Sequence, residues 1–293
     1  MNLKQKVLVI WGGVEERDIS RISANDVYKA CGRLGYPVAM AEITPENVYE
    51  VLQSYKDHVV LNLMHGELGE DGWIQRIFEE LGVIYCGSSS VSSAITFDKS
   101  VFRKRVSVRI PEGQVMTYEE YLKYPPGKAH IVKRLSSGSS LGVHYYDADQ
   151  VAPEWSGTML VEEFIPGREG SALVYNGECL GGCVFKYPGK FRDYESKYTL
   201  AKAGYFCWLE LPESVRAEIC ALSEMAYKEC ECDGMIRFDF RLSKADVPYI
   251  LEANSVPAMI SAEYILSNAG ISFTSFIQNM INDAKPHKSQ KNI

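Results

Sequence analysis

The chain has 293 residues, too many for one minimal core, so its length predicts two or three lobes. Hydrophobic residues make up 46% and charged residues 24% of the sequence, and the net charge of −7 argues against nucleic acid as a partner. No apolar run reaches the roughly 18 residues of a membrane span, and the run near the N-terminus is too short for a signal peptide. We therefore expect a cytoplasmic protein without a membrane partner, whose eight irregularly spaced cysteines are reduced packing residues.

The first third of the chain alternates short apolar strands with helical patterns. We predict strands at 6–11, 37–43 and 59–64, separated by helices over 23–36 and from residue 45. In a parallel sheet the ligand crevice lies at the carboxyl ends of the strands. Two polar segments occupy such positions: the run 15–18, and H-G-E-L-G-E-D-G from His65, which leads into a helix at 73–81. The alternative for the first run is an ordinary charged surface loop.

The middle of the chain carries a loop rich in serine and glycine. A helix is predicted over 91–106, and a strand over 129–133 ends in a lysine. The loop R-L-S-S-G-S-S-L-G-V follows at 134–143. Backbone N–H groups and hydroxyls in such a loop can cradle phosphates, although the same composition also suits a flexible linker.

This loop also contains the pattern G-x-S-x-G at 138–142, which in hydrolases presents a nucleophilic serine, here Ser140. That motif needs a strand-to-helix turn, followed later by an acid and a histidine. A strand-like pattern resumes here at residue 143, and the later histidines are His144, almost adjacent, and His287, in a lysine-rich tail. A serine hydrolase therefore remains only as the rival function from another class.

Charged groups cluster around the next predicted strand. It spans 159–169 and ends in a turn with carboxylates at Glu162 and Glu169. A loop at 186–198 mixes basic residues with tyrosines, and a loop of that length is commonly a lid or disordered. A helix with apolar residues along one face is predicted over 212–232.

Two further strands form a predicted hairpin around the polar turn 243–246. Side chains alternate across a strand, so Arg237 and Asp239 share one face, and Glu252 and Asn254 share a face of the partner strand. If the two faces coincide, two carboxylates, an amide oxygen and a guanidinium meet at one point. Oxygen ligands of this kind suit Mg²⁺. The alternative is a solvated hairpin with ordinary surface ion pairs.

Taken together, these motifs resemble the D-alanine–D-alanine ligase family of the ATP-grasp superfamily. From about residue 7 to about residue 281 they occur in the order G-G-x-E-E-R-D-I-S, H-G-E-L-G-E-D-G, Y-C-G-S-S-S-V-S-S-A, D-K, K-x-x-S-S-G-S-S-L-G-V, V-E-E-F-I-P-G-R-E, D-Y-E-S-K-Y, R-F-D and E-A-N-S-V-P-A-M. The resemblance implies an α/β ATP-grasp fold with three domains. They are an N-terminal parallel α/β domain over 1–93, a central lid-like α+β domain over 94–170, and a C-terminal antiparallel-sheet catalytic domain over 171–293.

The resemblance also implies an ATP-dependent, ADP-forming ligase. In this family ATP phosphorylates the carboxylate of a first D-alanine, and the amine of a second attacks the acyl phosphate to give D-alanyl-D-alanine for peptidoglycan. The implied partners are ATP, the amino-acid substrates and a second copy of the chain in a homodimer. The implied cofactor is Mg²⁺, as two ions, with Mn²⁺ as an alternative.

For the nucleotide half of the site, the resemblance assigns roles to individual residues. The Mg²⁺ ions would be held by Asp239, Glu252 and Asn254. Phosphate and adenine contacts would come from Lys99 and Lys133, and the 136–142 loop with Ser140 would close with Lys197 over the γ-phosphate. The adenine amine and the ribose hydroxyls would be bound by Glu162 and Glu169.

The amino-acid half of the site is assigned in the same way. Arg237 would stabilise the oxyanion of the tetrahedral intermediate. Glu16 would bind the ammonium of the first substrate, and His65 would lie beside its carboxylate. Tyr198 and Ser139 would tie the lid to Glu16.

Two residues of the second-substrate pocket depart from the family pattern. Ala258 replaces a glycine whose backbone N–H lies close to the reacting centre, and a methyl group there would crowd it. Glu263 replaces a serine that binds the carboxylate of the second substrate, and two carboxylates repel each other. The alternative function is therefore an ATP-grasp ligase with a different acceptor amine.

Overall fold

The computed structural model describes residues 4–123, 127–138, 142–187, 204–206 and 208–287. Four of the residues that the family resemblance assigns, Ser139, Ser140, Lys197 and Tyr198, lie outside these ranges, so their roles stay predictions. Within the ranges the strands form three sheets, which we number in chain order. No helix there combines the length and the apolar character that crossing a membrane requires.

The first sheet is parallel, as the strand–helix alternation predicts. Its strands are β1 (Lys6–Gly12), β2 (Val38–Ile43), β3 (His58–Asn62) and β4 (Ile84–Cys86), in the order β2-β1-β3-β4. The helices between them are α1 (Arg17–Arg33), α2 (Val48–Ser54) and α3 (Trp73–Leu81). Helix α1 begins six residues earlier than predicted, and its first two turns carry the buried serines Ser20 and Ser23.

The predicted helix over 91–106 is wrong in one respect, because it is two helices. They are α4 (Ser90–Phe97) and α5 (Lys99–Arg105), separated by Asp98 in an extended conformation. The Asp98 carboxylate accepts hydrogen bonds from the backbone N–H groups of Ser100 and Val101, so it caps the N-terminus of α5. The extended backbone of Asp98 thus ends α4, and its side chain caps the start of α5.

The second sheet is antiparallel and has the order β5-β8-β6-β7. Its strands are β5 (Gly113–Met116), β6 (His130–Lys133), β7 (Val143–Tyr146) and β8 (Met159–Glu163), and α6 (Tyr118–Lys123) packs beside them. The serine- and glycine-rich loop therefore joins two paired strands, with Lys133 opposite Val143. A nucleophile elbow needs a helix after the strand, so the structure argues against the serine hydrolase alternative, as the sequence does.

The third sheet contains the predicted hairpin. Its strands are β9 (Gly167–Tyr175), β10 (Glu178–Lys186), β11 (Gly204–Phe206), β12 (Met235–Ser243) and β13 (Pro248–Asn254), in the order β11-β10-β9-β12-β13. The helices around it are α7 (Glu213–Glu229), α8 (Met259–Asn268) and α9 (Phe273–Asn282), with a 3-10 turn at Trp208–Glu210. The predicted strand over 159–169 is divided between β8 and β9. The domain boundaries at 93 and 170 stay a prediction.

The cysteines depart from the prediction at one pair. The structure joins Cys179 of β10 to Cys220 of α7 in a disulfide, with their Cα atoms 5.4 Å apart. The spacing of the cysteines along the chain did not identify this pair. Among the described residues, the remaining cysteines are buried, as expected of packing residues.

Candidate active site

The β12–β13 hairpin brings the four predicted polar residues together. Asp239 lies directly opposite Glu252, and Arg237 lies directly opposite Asn254. Residues opposite each other in an antiparallel pair project from the same face of the sheet. The two predicted faces therefore coincide, and the arrangement differs from a solvated hairpin because Asp239 is only 7% exposed.

Asp239 accepts hydrogen bonds from neighbouring side chains. Arg237 donates to both of its oxygens, with Nε 2.8 Å from Oδ1 and Nη2 2.9 Å from Oδ2. Ser171, which is opposite Asp239 on β9, donates from its Oγ to Oδ1 at 2.5 Å. Burial alone would lower the pKa of Arg237, but the carboxylates of Asp239, Glu252 and Glu70 raise it above its ordinary value. Arg237 is therefore a permanent cation at this point of the hairpin.

The donor atoms of the hairpin fit a hard divalent cation. Asp239, Glu252 and Asn254 present oxygen atoms on one face, and Asn254 Nδ2 lies 3.4 Å from Asp239 Oδ2. Among the described residues no group of three or more His, Cys, Asp and Glu side chains is arranged to hold a metal alone. Mg²⁺ commonly takes one or two carboxylates and completes its shell with water and substrate phosphates. Two carboxylates and an amide match that requirement.

A cleft between the second and third sheets continues from the hairpin. It is lined by polar side chains from both sheets and by an apolar group that includes Pro111, Ile131, Phe164 and Leu251. Lys133, at the end of β6, places its Nζ 2.5 Å from Oε1 of Glu162 on β8. Both side chains are buried, so the ion pair is shielded from water. The cleft therefore offers a lysine, a carboxylate and an apolar wall.

Two arginines that the sequence analysis missed hold the cleft carboxylates. Arg103 of α5 donates from Nη1 to Oε2 of Glu162 at 3.1 Å, and Arg241 of β12 donates from Nη1 to Oε2 of Glu169 at 2.9 Å. The Arg241 guanidinium also lies over the Phe164 ring, 4.6 Å from its centroid. The position of Arg241, two residues after Asp239, was a signal in the predicted hairpin. The Arg103 contact joins residues 59 apart and had no local signal.

Lys99 links the hairpin to the serine- and glycine-rich loop. It lies at the start of α5, buried, with its Nζ 3.4 Å from Glu252 Oε2 and 2.9 Å from the backbone oxygen of Ser137. The same residue donates its backbone N–H to the backbone oxygen of Leu135 at 2.9 Å. The cation, the metal-ligand candidate and the loop are thus brought to one place, while the contact of Lys99 with phosphate stays a prediction.

The serine- and glycine-rich loop lies, at Gly138, against Glu16, the residue predicted to bind the ammonium group of the first substrate. The Gly138 backbone lies against Glu16, at the N-terminal end of α1, and a Cβ on Gly138 would lie 2.9 Å from Glu16 Oε1. A side chain at position 138 would therefore require the Glu16 carboxylate to shift. The structure places Glu16 and the beginning of the loop together, although they are more than a hundred residues apart in sequence.

His65 uses both of its ring nitrogens within the protein. Its Nδ1 lies 2.7 Å from the backbone oxygen of Val256, and its Nε2 lies 3.1 Å from Ser23 Oγ. Burial, which outweighs the effect of the Val256 hydrogen bond, lowers the pKa of His65 to about 4. The ring is therefore neutral near pH 7, with its proton on Nδ1, where it donates to Val256. The contact between His65 and a substrate carboxylate stays a prediction.

Glu70 is a further residue of the site that the sequence analysis did not single out. It is buried, its Oε2 accepts from Gly66 N–H at 2.9 Å, and its Oε1 accepts from Val256 N–H at 3.1 Å. Burial, and after it the nearby carboxylate of Glu16, raise the pKa of Glu70 to about 8. The second glutamate of H-G-E-L-G-E-D-G was the available signal. Its partner, 186 residues away, could not be read from that motif.

The buried state of His65 predicts a pH dependence of stability. The folded-state pKa is about 4 and the ordinary value is 6.5, so the unfolded chain binds this proton first as the pH falls. The stabilisation is present above pH 6.5 and is lost between pH 6.5 and pH 4, by about 3 kcal/mol in total. Since the raised pKa of Glu70 gives an opposite slope over part of this range, the loss is measured as the difference in pH dependence between the parent and His65→Gln in thermal or urea unfolding. His65→Gln should reduce it, and an unchanged slope in that variant would contradict the assignment.

The two departures from the family pattern lie on α8. Ala258 is the residue before the helix, and Glu263 lies in its second turn with an exposed side chain. The backbone of Ala258 is therefore near the hairpin, four residues after Asn254. Glu263 is on the solvent side of the same helix, and the structure leaves its predicted effect on the second substrate as a prediction.

Comparison with known proteins places the chain among ligases. A family model described as the D-ala D-ala ligase C-terminus matches residues 96–282. The D-alanine–D-alanine ligase of Rickettsia rickettsii (strain Sheila Smith) is 32% identical over 298 residues, which cover 96% of this chain and 92% of that protein. The crystal structure of D-alanine–D-alanine ligase from Bacillus anthracis has a TM-score of 0.78 and 25% identity, covering 96% of this chain and 97% of the other. A structure of the Bacillus anthracis ligase complexed with ATP has a TM-score of 0.78 at 24% identity, covering 95% and 96%.

Proposed function

Since the chain belongs to the D-alanine–D-alanine ligase family, we propose that it uses ATP to join two D-alanine molecules into D-alanyl-D-alanine. The observation that carries the proposal is the meeting of Asp239, Glu252 and Arg237 beside the buried cations Lys99 and Lys133. Phosphoryl transfer depends mainly on positioning the reactants and stabilising their charge. This group of residues has the charges that such a reaction needs.

In this proposal the nucleotide occupies the cleft between the second and third sheets. The apolar wall that includes Ile131 and Phe164 suits an adenine ring. Lys133 would contact the phosphates or the adenine edge, and Glu162 and Glu169 would accept hydrogen bonds from the adenine amine and the ribose hydroxyls. Because Arg103 and Arg241 hold these two carboxylates in place, the acceptor atoms are fixed before the nucleotide binds.

The metal ligands of the proposal are Asp239, Glu252 and Asn254, which would hold Mg²⁺, or Mn²⁺ in its place. When bound, such a cation neutralises charge on the phosphate oxygens of ATP. Arg237, next to these ligands, would stabilise the oxyanion that forms when the second amine attacks the acyl phosphate of the first substrate. Its strong pairing with Asp239 keeps the guanidinium charged and oriented.

The first amino acid is proposed to bind between α1 and the 134–143 loop. Glu16 would accept its ammonium group, and the loop would cover the carboxylate that is phosphorylated. The position of Gly138 against Glu16 supports this arrangement, because it brings the loop to the substrate glutamate. The proposal also includes a cytoplasmic homodimer, as the family resemblance implies.

The experiment that tests the function is ADP release from ATP and Mg²⁺ with D- and L-amino acids, added singly and in pairs. We expect release with D-alanine alone, accompanied by D-alanyl-D-alanine detected by mass spectrometry. A reaction without added amino acid is the control for uncoupled ATP hydrolysis. Absence of ADP release with every amino acid tested would contradict the proposal.

A second candidate changes only the acceptor. Glu263 presents an exposed carboxylate where the family pattern has a serine, and Ala258 replaces the family's glycine. An acceptor with a cation, or without a carboxylate, would avoid the repulsion between carboxylates. The paired additions in the same assay distinguish the candidates, because ADP release only with another amine as second substrate would favour the changed acceptor.

A further inference from the structure

The segment 255–259 connects the metal-ligand candidate Asn254 to helix α8, and its backbone is bound from outside its own sheet. The peptide of Val256 is held at both ends: its N–H donates to Glu70 Oε1 at 3.1 Å, and its C=O accepts from His65 Nδ1 at 2.7 Å. Both partners lie in the loop that follows β3 of the first sheet. The segment that follows the last strand of the third sheet is therefore held in position by a loop of the first sheet.

The N-terminus of α8 is held in the same way. The residue before the helix is Ala258, which has no side-chain group to cap the first turn. The backbone N–H of Met259 instead donates to Ser23 Oγ, on α1, at 3.3 Å. Because the first N–H groups of a helix lack partners within it, this serine supplies a cap that the helix itself lacks.

These contacts form one directed chain of hydrogen bonds. Met259 N–H donates to Ser23 Oγ, Ser23 donates its hydroxyl proton to His65 Nε2, and His65 Nδ1–H donates to the C=O of Val256. The chain starts and ends on the same segment, three residues apart. Three side chains bind the backbone of this segment, and each is 5% exposed or less: Ser23, His65 and Glu70. Buried hydrogen bonds of this kind fix geometry because leaving a partner unsatisfied is costly.

We propose that Ser23, His65 and Glu70, which we call the inter-sheet clamp, are positioning residues that set the second-substrate pocket by holding residues 255–259. The assignment rests on the proposed function for the identity of that pocket. The clamp touches the backbone on both sides of Ala258, whose N–H lies near the reacting centre in the proposed site. Loss of the clamp should therefore weaken binding of the second amino acid more than binding of ATP, because no residue of 255–259 lines the proposed nucleotide cleft.

Ser23→Ala tests the clamp, and Ser20→Ala is its matched control. Ser20 is also a fully buried serine of α1, and its Oγ likewise makes two hydrogen bonds, from Gly12 N–H at 2.9 Å and to the Leu63 oxygen at 2.7 Å. Gly12 ends β1 and Leu63 directly follows β3, so neither partner belongs to the 255–259 segment. The two variants thus lose comparable buried hydrogen bonds, and only Ser23→Ala releases the 255–259 segment.

The kinetic readout is the KM of each substrate in the ADP-release assay. We expect Ser23→Ala to raise the KM of the second amino acid about tenfold, the size of effect when one buried hydrogen bond is lost, and to change the KM of ATP less than about twofold. Ser20→Ala should leave both values within about twofold of the parent. Equal effects of the two serine variants, or a larger rise in the KM of ATP, would overturn the proposal.

A second readout does not depend on catalysis. Amide hydrogen exchange of residues 255–262 should be faster in Ser23→Ala and in Glu70→Gln than in the parent, and unchanged in Ser20→Ala. In Glu70→Gln the amide group places a donor against one of the two backbone donors, so one contact is lost. Unchanged exchange in both clamp variants would overturn the clamp even if the ligase is active. An inactive parent protein with faster exchange in the variants would instead contradict only the proposed function.

Discussion

Asp239→Asn is expected to reduce ADP release on the order of a hundred to a thousandfold, the range found when a single preorganised charge partner is removed from an active site. The substitution removes the charge that pairs with Arg237 and replaces one oxygen with a donor that faces the guanidinium. A metal ligand of the proposed site is lost with it. Initial rates at saturating ATP and amino acid measure the effect.

The same variant should also unfold more easily. Removing the Asp239 charge breaks a largely buried ion pair and takes from Arg237 the carboxylate to which it donates, so that only Glu252 and Glu70 remain as nearby opposite charges, at a cost of about 3 kcal/mol. Asp246→Asn is the matched control, because Asp246 belongs to the same hairpin and pairs with Arg168 at its exposed turn. Asparagine also tolerates the left-handed backbone of position 246. A loss of activity below about tenfold in Asp239→Asn would contradict its assigned role.

Lys133→Met should raise the KM of ATP roughly a hundredfold, which corresponds to about 3 kcal/mol of lost binding. The methionine keeps the length of the side chain but removes the cation that faces the cleft. It also removes the 2.5 Å contact to Glu162, whose carboxylate then keeps Arg103 as a partner. Substrate titrations at saturating D-alanine separate this effect on ATP from any effect on the amino acids.

Lys128→Met is the control for that experiment. Lys128 precedes the same strand, but it is half exposed and pairs with Glu163 at 2.8 Å and Glu112 at 3.4 Å at the rim of the sheet. Exposed ion pairs contribute little to stability, so Lys128→Met should fold as the parent does. The KM of this variant for ATP should stay within about twofold of the parent value. Equal KM values for Lys133→Met and the parent would show that this lysine does not contact the nucleotide.

The local parts of the site could be predicted from the sequence. Alternation along two strands placed Arg237 and Asp239 on one face, and Glu252 and Asn254 on one face of the partner strand, because the period of a strand is fixed at two. The register that makes the two faces coincide came from the structure. A buried strand followed by glycines and polar residues likewise marked the loops that begin at His65 and at residue 134. These inferences needed only neighbours in the chain.

Contacts between sheets could not be predicted in this way. Val256 is held by Glu70 and His65, and Glu162 is held by Arg103, across long separations in sequence. No periodic pattern specifies how one sheet lies against another, because that depends on the packing of the whole chain. The Cys179–Cys220 pair was missed for the same reason, since spacing does not specify which cysteines meet.

The break at Asp98 between α4 and α5 has a mechanical consequence. Asp98 caps α5 and also forms an antiparallel bridge with Ser136, while the next residue, Lys99, binds the backbone of Leu135. The start of the loop is thereby fastened to the same joint from which α5 leads into the second sheet. If the second sheet rotated about this joint, the start of the loop would move with it, and a wider nucleotide cleft would then also separate Gly138 from Glu16. In the proposed site, opening the nucleotide cleft and uncovering Glu16 would therefore be one movement.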